Sequence, residues 1–234
     1  MTSVAPFLIF FVGALVVALT KGTVRLAVLL AIPVVGALNL WVMAEGTHTE
    51  VALFDYTLSL VRADRLSLLF GYLFHLAAFI GIVYALHVRD TLQHVAAVLY
   101  TGSALGAVFA GDLITLFVFW ELLAISSVFL ILARRSERAY RAAMRYLVIQ
   151  VLSGVILLSG ALIRYRQSGS LAFDYIGLDD LGSHLIFLAF GIKCAFPFLH
   201  NWLTDAYPEA TPTGTVFLSA FTTKVAARIV TGAL

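Results

Sequence analysis

Charge is what this chain has least of. Asp, Glu, Lys and Arg make up 12% of its 234 residues, against about 25% in soluble domains. The remainder is 62% hydrophobic, with a mean hydropathy of +1.00. A soluble fold of this length has too little interior to hide so much apolar surface. The scarcity of charge therefore excludes a soluble enzyme, a nucleic-acid binder and a disordered chain. The single cysteine, Cys194, excludes an internal disulfide framework and a zinc cluster. The alternating apolar and polar residues of a membrane β-barrel are missing. So are a phosphate loop, an HExxH helix and a GxSxG turn, and no cofactor, haem or metal is expected. No basic stretch precedes the first apolar run, because Lys21 follows it. That run reads as a retained helix rather than a signal peptide.

What is present is a series of continuous apolar runs, each near the roughly 20 residues that span a bilayer. Eight stretches qualify or nearly qualify: residues 4–20, 24–43, 66–87, 91–110, 113–133, 139–163, 183–203 and 213–234. The expected fold class is thus all-α, a polytopic membrane helix bundle of about eight transmembrane helices. The loops are short except 44–65 and 164–182, which carry acidic residues and are placed at the membrane surface. Orientation follows from the bias of Lys and Arg toward the cytoplasmic face. Lys21, Arg25, Arg89, Arg134, Arg135, Arg138, Arg141 and Arg145 fall on one side, and Arg62, Arg65, Arg164 and Arg166 on the other. The five-arginine cluster at 134–145 is expected in the cytoplasm, serving as a topology anchor. That places the N-terminus outside and the chain in the inner or plasma membrane.

Three charges stand where lipid or protein interior should be. Glu121 is the only charge between Asp112 and Arg134, and Lys193 and Lys224 interrupt LIFLAFGIKCAFPFL and TVFLSAFTTKVAA. Each costs about 2.5–3.5 kcal/mol at mid-helix on insertion scales. They should face the bundle interior, pair, or line a hydrated cavity. A buried lysine whose charge depends on a movable carboxylate is a proton switch; the alternative is a fixed salt bridge that locks helix packing. Four residues after Lys193 comes Pro197, which removes a backbone donor and should break the seventh helix near Cys194. Broken helices are tolerated at membrane depth where they line protein or water; an ordinary kink is the other reading. His200, just past the break, is a further candidate relay, and His75 on the third stretch a weaker one.

Two segments, GDLITLFVFWELLAISSVFLI and KCAFPFLHNWLTDAYPEATPTGTVFLSAFTTK, resemble the antiporter-like membrane subunits. That family includes the large subunits of Mrp-type cation/proton antiporters and the proton-pumping subunits of respiratory complex I and membrane hydrogenases. DAYPEATPTGTVFLSAFTTK is closest in look to the subunit-D-like proteins of the Mrp group. The resemblance implies a glutamate on the fifth helix, a lysine on the broken seventh and another on the eighth, which fall on Glu121, Lys193 and Lys224. It also implies inverted five-helix repeats, of which helices four to eight, within residues 91–234, would be the first; residues 1–90 would hold helices one to three. By that alignment the chain stops inside its eighth helix, with Arg228 foreign to the pattern.

The resulting expectation is a proton-conducting half-channel subunit of a multisubunit monovalent cation/proton antiporter. Its partners would be other membrane subunits, one of them supplying the second repeat. Two competing readings are a proton-translocating membrane subunit of a complex I-like or hydrogenase-like redox pump, and a non-conducting scaffold or truncated fragment.

Overall fold

The computed structural model describes residues 4–53 and 56–233. Helices occupy all eight apolar stretches: α1 (Pro6–Leu19), α2 (Gly22–Trp41), α3 (Arg65–Tyr84), α4 (Thr91–Phe109), α5 (Leu113–Leu132), α6 (Glu137–Ser168), α7 (Leu181–Lys193) and α9 (Pro212–Ala233). The seventh stretch is interrupted, with α7 ending at Lys193 and a short α8 (Asn201–Ala206) following before a 3₁₀ turn over Tyr207–Glu209. Among the described residues five helices, α2 to α6, are long and apolar enough to cross a membrane, and α1 and α7 are shorter apolar helices. Their outer faces carry rows of exposed aliphatic side chains. Val118, Leu122, Ile125 and Phe129 form such a row on α5, and Val148, Leu152 and Val155 on α6. These rows follow helical spacing, and their combined extent suits lipid rather than water.

The all-α expectation needs one correction. The 44–65 segment, read as a surface loop, holds an antiparallel hairpin, β1 (Gly46–Leu53) and β2 (Tyr56–Ala63). In β2, Thr57 and Ser59 alternate with Leu58 and Leu60, the period-2 pattern of a half-buried strand. Two further boundaries differ. α6 begins at Glu137, so Arg138, Arg141 and Arg145 stand on its first turns, and it runs five residues past the expected 163 to Ser168.

Most helix starts are fixed by short polar caps at the bundle's ends. Asp64, Asp90, Asp112, Ser136 and Asp180 each accept a hydrogen bond from the first turn of the helix they precede. Such a cap satisfies an orphan N–H, and the aspartates also favour the positive end of the helix dipole. α4 is the most buried of the spanning helices and packs on α1, α3, α5 and α9. Its small residues allow this closeness, as membrane helices require. A side chain on Gly106 would meet the Phe119 ring of α5. Helices α4, α5, α6, α7 and α9 close into a ring by successive contacts, and α1 to α3 pack along its α4 and α9 side.

Each end of the ring carries a polar clamp. At the hairpin end Asp112 is buried and accepts from Thr115 N (2.7 Å), Thr115 Oγ1 (2.7 Å) and Ser59 N (2.8 Å). Beside it Gly111 N donates to Ser59 O and Phe173 N to Gly111 O, which ties hairpin, α5 and the 169–180 segment together. Arg228 of α9, foreign to the sequence pattern, pairs with Asp64 at 3.0 Å and fastens α9 to the start of α3. At the other end, the arginines expected as topology anchors meet acids. Arg145 grips Asp205 of α8 through two bonds of 2.7 and 2.8 Å, Arg138 meets Glu209 and Arg135 meets Asp90. The Arg145 guanidinium holds the Asp205 carboxyl below its ordinary value. The arginines of these pairs are exposed and their acids half-buried, and each pair is individually weak; jointly they define where the connection from α7 to α9 lies.

Asp112→Ala removes one acceptor from three donors and should destabilise the chain by about 2–4 kcal/mol. Asp112→Asn keeps an acceptor and should lose less. Unfolding in detergent by a denaturant titration checks both, and an unchanged midpoint for Asp112→Ala would contradict the clamp.

Candidate functional site

The break in the seventh stretch exists because three features coincide. Pro197 has no N–H to continue a helix. Ala195 and Phe198 sit at φ of 58° and 70°, a region that costs non-glycine residues of order 1–2 kcal/mol. The freed end is closed by substitutes: Phe196 N donates to Gly191 O, and Trp202 Nε1 donates to Ile192 O at 2.8 Å. Lys193 is therefore the last residue of α7, a position where a cation suits the helix dipole.

Lys193 is fully buried. Its Nζ donates to the main-chain oxygen of Trp120 on α5 at 3.0 Å and stands 4.3 Å from the centre of the Trp120 ring. The Trp120 indole is itself held, donating from Nε1 to Ser153 Oγ of α6 at 3.0 Å, while Ser153 Oγ donates to Gln150 O at 2.7 Å. The lysine is thus seated by a carbonyl and a π face on a helix that α6 orients.

Glu121, the next residue of α5, is half-buried and close enough for its charge to act on that of Lys193. No ion pair within 4.0 Å joins them among the described residues. The Glu121 carboxylate instead lies against Gly154 of α6, where its buried Oε1 has no protein partner. A Cβ on Gly154 would collide with that carboxylate, so the glycine makes the carboxylate's seat.

The structure brings Glu121 and Lys193 to one place and keeps the other candidates apart. Lys224 is on the exposed side of α9, where its Nζ donates to Ser219 O at 2.7 Å. His200 is exposed at the start of α8, and Pro197 is exposed in the break. His75 is buried, with Nδ1 against Gly71 O and its ring packed on Phe10. Trp120, Ser153 and Gly154 were not singled out by charge. For the two α6 residues the signal is spacing: Gln150, Ser153, Gly154 and Leu157 recur at three and four residues on its buried stripe.

A helical membrane protein with a lysine at a broken helix, beside a carboxylate on a neighbouring helix, is the class that fold and site define. The family model described as NADH:quinone oxidoreductase/Mrp antiporter, TM, matches residues 110–233, and the chain belongs to this family. It is 28% identical over 251 residues to NADH-quinone oxidoreductase subunit N of Deinococcus radiodurans, covering 95% of this chain and 50% of that one. Its fold matches a chain of the Mrp complex from Dietzia sp. DQ12-45-1b with a TM-score of 0.71 at 25% identity, over 95% of this chain and 42% of that one. It also matches a chain of respiratory complex I from Thermus thermophilus with a TM-score of 0.81 at 18% identity, over 97% and 53% respectively. The chain spans about half the length of these relatives.

Gly154→Ala should displace the Glu121 carboxylate and destabilise the chain by about 1–3 kcal/mol, the usual cost of overpacking. Adding Glu121→Asp, which shortens the side chain by one methylene, should recover most of that loss. Thermal midpoints of the two variants in detergent test this, and additivity of the two losses would exclude the contact.

Proposed function

We propose that this chain is a proton-conducting half-channel subunit of a multisubunit monovalent cation/proton antiporter, embedded by eight membrane helices. The observation that carries the reading is the fully buried Lys193 at the break, seated on Trp120, with the Glu121 carboxylate close by but not bonded to it. A lysine locked in a contact ion pair is a packing device. A lysine beside a carboxylate that must move, or use a water, to reach it is a switch. When Glu121 approaches, the ammonium form of Lys193 is favoured; when it withdraws, the proton is released. Lys224, on the exposed flank of α9, is the next station, and His200 a further one at the α8 end. The chain would act within a hetero-oligomer of membrane subunits, one of which supplies a second helix ring against that flank.

A second reading has support of its own, since the relatives include an oxidoreductase subunit matched over 95% of this chain. In it the same half-channel serves a redox-driven pump whose chemistry lies in peripheral subunits. Mass spectrometry of the chains that copurify in mild detergent separates the two: small antiporter-type membrane subunits favour the first, and iron–sulfur subunits the second.

Exchange measured per assembled complex in proteoliposomes should be low for Lys193→Ala and Glu121→Gln, with assembly intact. Glu121→Asp should retain part of the rate, because the charge survives with a shorter reach. Normal exchange in assembled Lys193→Ala would overturn the relay.

The proposed orientation has the N-terminus outside and the start of α6 in the cytoplasm. In a Cys194→Ser background, an impermeant thiol reagent applied to intact cells should label Thr47→Cys and spare Arg138→Cys. The reverse pattern would invert the topology.

A further inference from the structure

The cations at the arginine-bearing end fall into two groups. Each of the five arginines of 134–145 has a carboxylate within 4.0 Å. On the adjoining side, Lys21 and Arg25 at the α1–α2 connection and Arg89 between α3 and α4 have none among the described residues. The two sides meet at Asp90, which follows Arg89 and pairs with Arg135 at 2.9 Å. Asp90 also accepts from Leu92 N at the start of α4, so the acid nearest Arg89 in sequence is already engaged. Arg25 and Arg89, with His87 and His94, line a cavity of about 580 Å³, within the range of about 300–1,000 Å³ that small-molecule sites occupy.

Arg25 is fixed in its place. Its Nε and Nη2 donate to Thr20 O at the end of α1, and its Nη1 donates to Thr91 Oγ1 of α4 at 2.7 Å. A guanidinium has five N–H donors, so one on each Nη is left over. The acceptors it has are uncharged, and its positive charge is not neutralised. His94 is buried, with Nε2 2.9 Å from Val88 O, while His87 and Arg89 are exposed at the rim. A fixed guanidinium beside an exposed one suits an anion with several oxygens, a phosphate above all.

The adjoining surface decides which phosphate. Arg25, Val28, Ile32 and Val35 recur at three and four residues and share one face of α2. On that face an open groove of about 510 Å³ runs between α1 and α2, and every side chain lining it is apolar. It extends about 12 Å along α1 from Leu8 to Val16. The end at Val16 and Val28 lies one turn from Thr20 and Arg25, and Thr20 N donates to Val16 O at 3.0 Å. The cations alone would bind a free phosphate; the groove beside them adds a seat for an acyl chain. We propose that Lys21, Arg25 and Arg89 bind the phosphate of an anionic phospholipid whose acyl chain lies in the α1–α2 groove. Basic pockets between membrane helices take such headgroups. The lipid fastens α2, the least buried of the spanning helices, to the start of α4.

The test places the assembled complex in phosphatidylcholine nanodiscs with a trace of phosphatidylglycerol bearing a photoactivatable acyl chain, and locates the crosslinks by mass spectrometry. They should concentrate on the groove residues of α1 and α2. Unlabelled phosphatidylglycerol should compete them away, while inorganic phosphate and further phosphatidylcholine should not. One basic residue near the surface is worth about fivefold in affinity for an anionic lipid. Arg89→Gln and Lys21→Gln, both outside helices, should therefore each weaken crosslinking about fivefold without disturbing the bundle. Arg25→Gln should weaken it further, since the fixed donors go with the charge. Arg166→Gln, which removes a cation from the opposite end, should leave it unchanged. Val12→Trp, which fills the groove, should move the crosslinks away from α1 and α2. Parent-like crosslinking in both Arg89→Gln and Lys21→Gln, or equal competition by phosphatidylcholine, would overturn the headgroup site. Competition by inorganic phosphate without any groove crosslink would leave a phosphate site and overturn the lipid. Absence of groove crosslinks in the complex, with that face covered by another subunit, would overturn it as well.

Discussion

The housing of one ammonium group in an apolar bundle is the constraint on which this architecture turns. A lysine at membrane depth costs about 2.5–3.5 kcal/mol on insertion scales. Lys193 recovers much of that from two contacts on a single neighbour, the Trp120 carbonyl and ring. A hydrogen bond from a charged group is worth about 1.5–3 kcal/mol, and a desolvated cation–π contact about 2 kcal/mol. Neither contact requires a counter-ion. The lysine can thus be held in place without consuming Glu121, whose carboxylate stays free to respond to its surroundings.

The rest of the ring can be traced outward from that requirement. Trp120 keeps its orientation because Ser153 accepts its indole N–H. Lys193 can reach Trp120 because α7 ends there, and α7 ends there because of Pro197 and the two residues with positive φ. The break leaves carbonyls that Trp202 and the 196–199 turn satisfy, and α8 is pinned to α6 by Arg145 and Asp205. A helix interrupted at membrane depth is tolerated only with such local replacements. The arginines that a topology rule reads as anchors are also the fasteners of the interruption.

Much of this was legible in the sequence, for identifiable reasons. Hydropathy locates helices because a span needs length and apolarity and little else. Glu121 and Lys193 stood out because an isolated charge in an apolar run has few physical excuses. Pro197 marked the break through a missing donor. The hairpin was overlooked because a search tuned to 20-residue runs treats the acidic 44–65 segment as surface, although Thr57 to Leu60 alternate. The seat of Glu121 was hidden for another reason. Gly154 acts by having no side chain, and that role appears only when the carboxylate of another helix is seen above it. The outward direction of Lys224 was equally hidden, since one charge in an apolar helix does not say which face it occupies.

The gap between Glu121 and Lys193 is more informative than a contact would have been. In a low-dielectric interior two unit charges at 4 Å attract by several kcal/mol, and a pair closed at that distance resists the loss of either charge. A relay needs the opposite, because the lysine must bind and release its proton within an accessible range of free energy. Seating Lys193 on uncharged groups and Glu121 on a glycine keeps the attraction present but submaximal. Glu121 Oε1 of α5 and the Gln150 amide of α6, one turn from the glycine that seats the carboxylate, are both buried without protein partners, which sets this side of α6 apart from ordinary apolar packing.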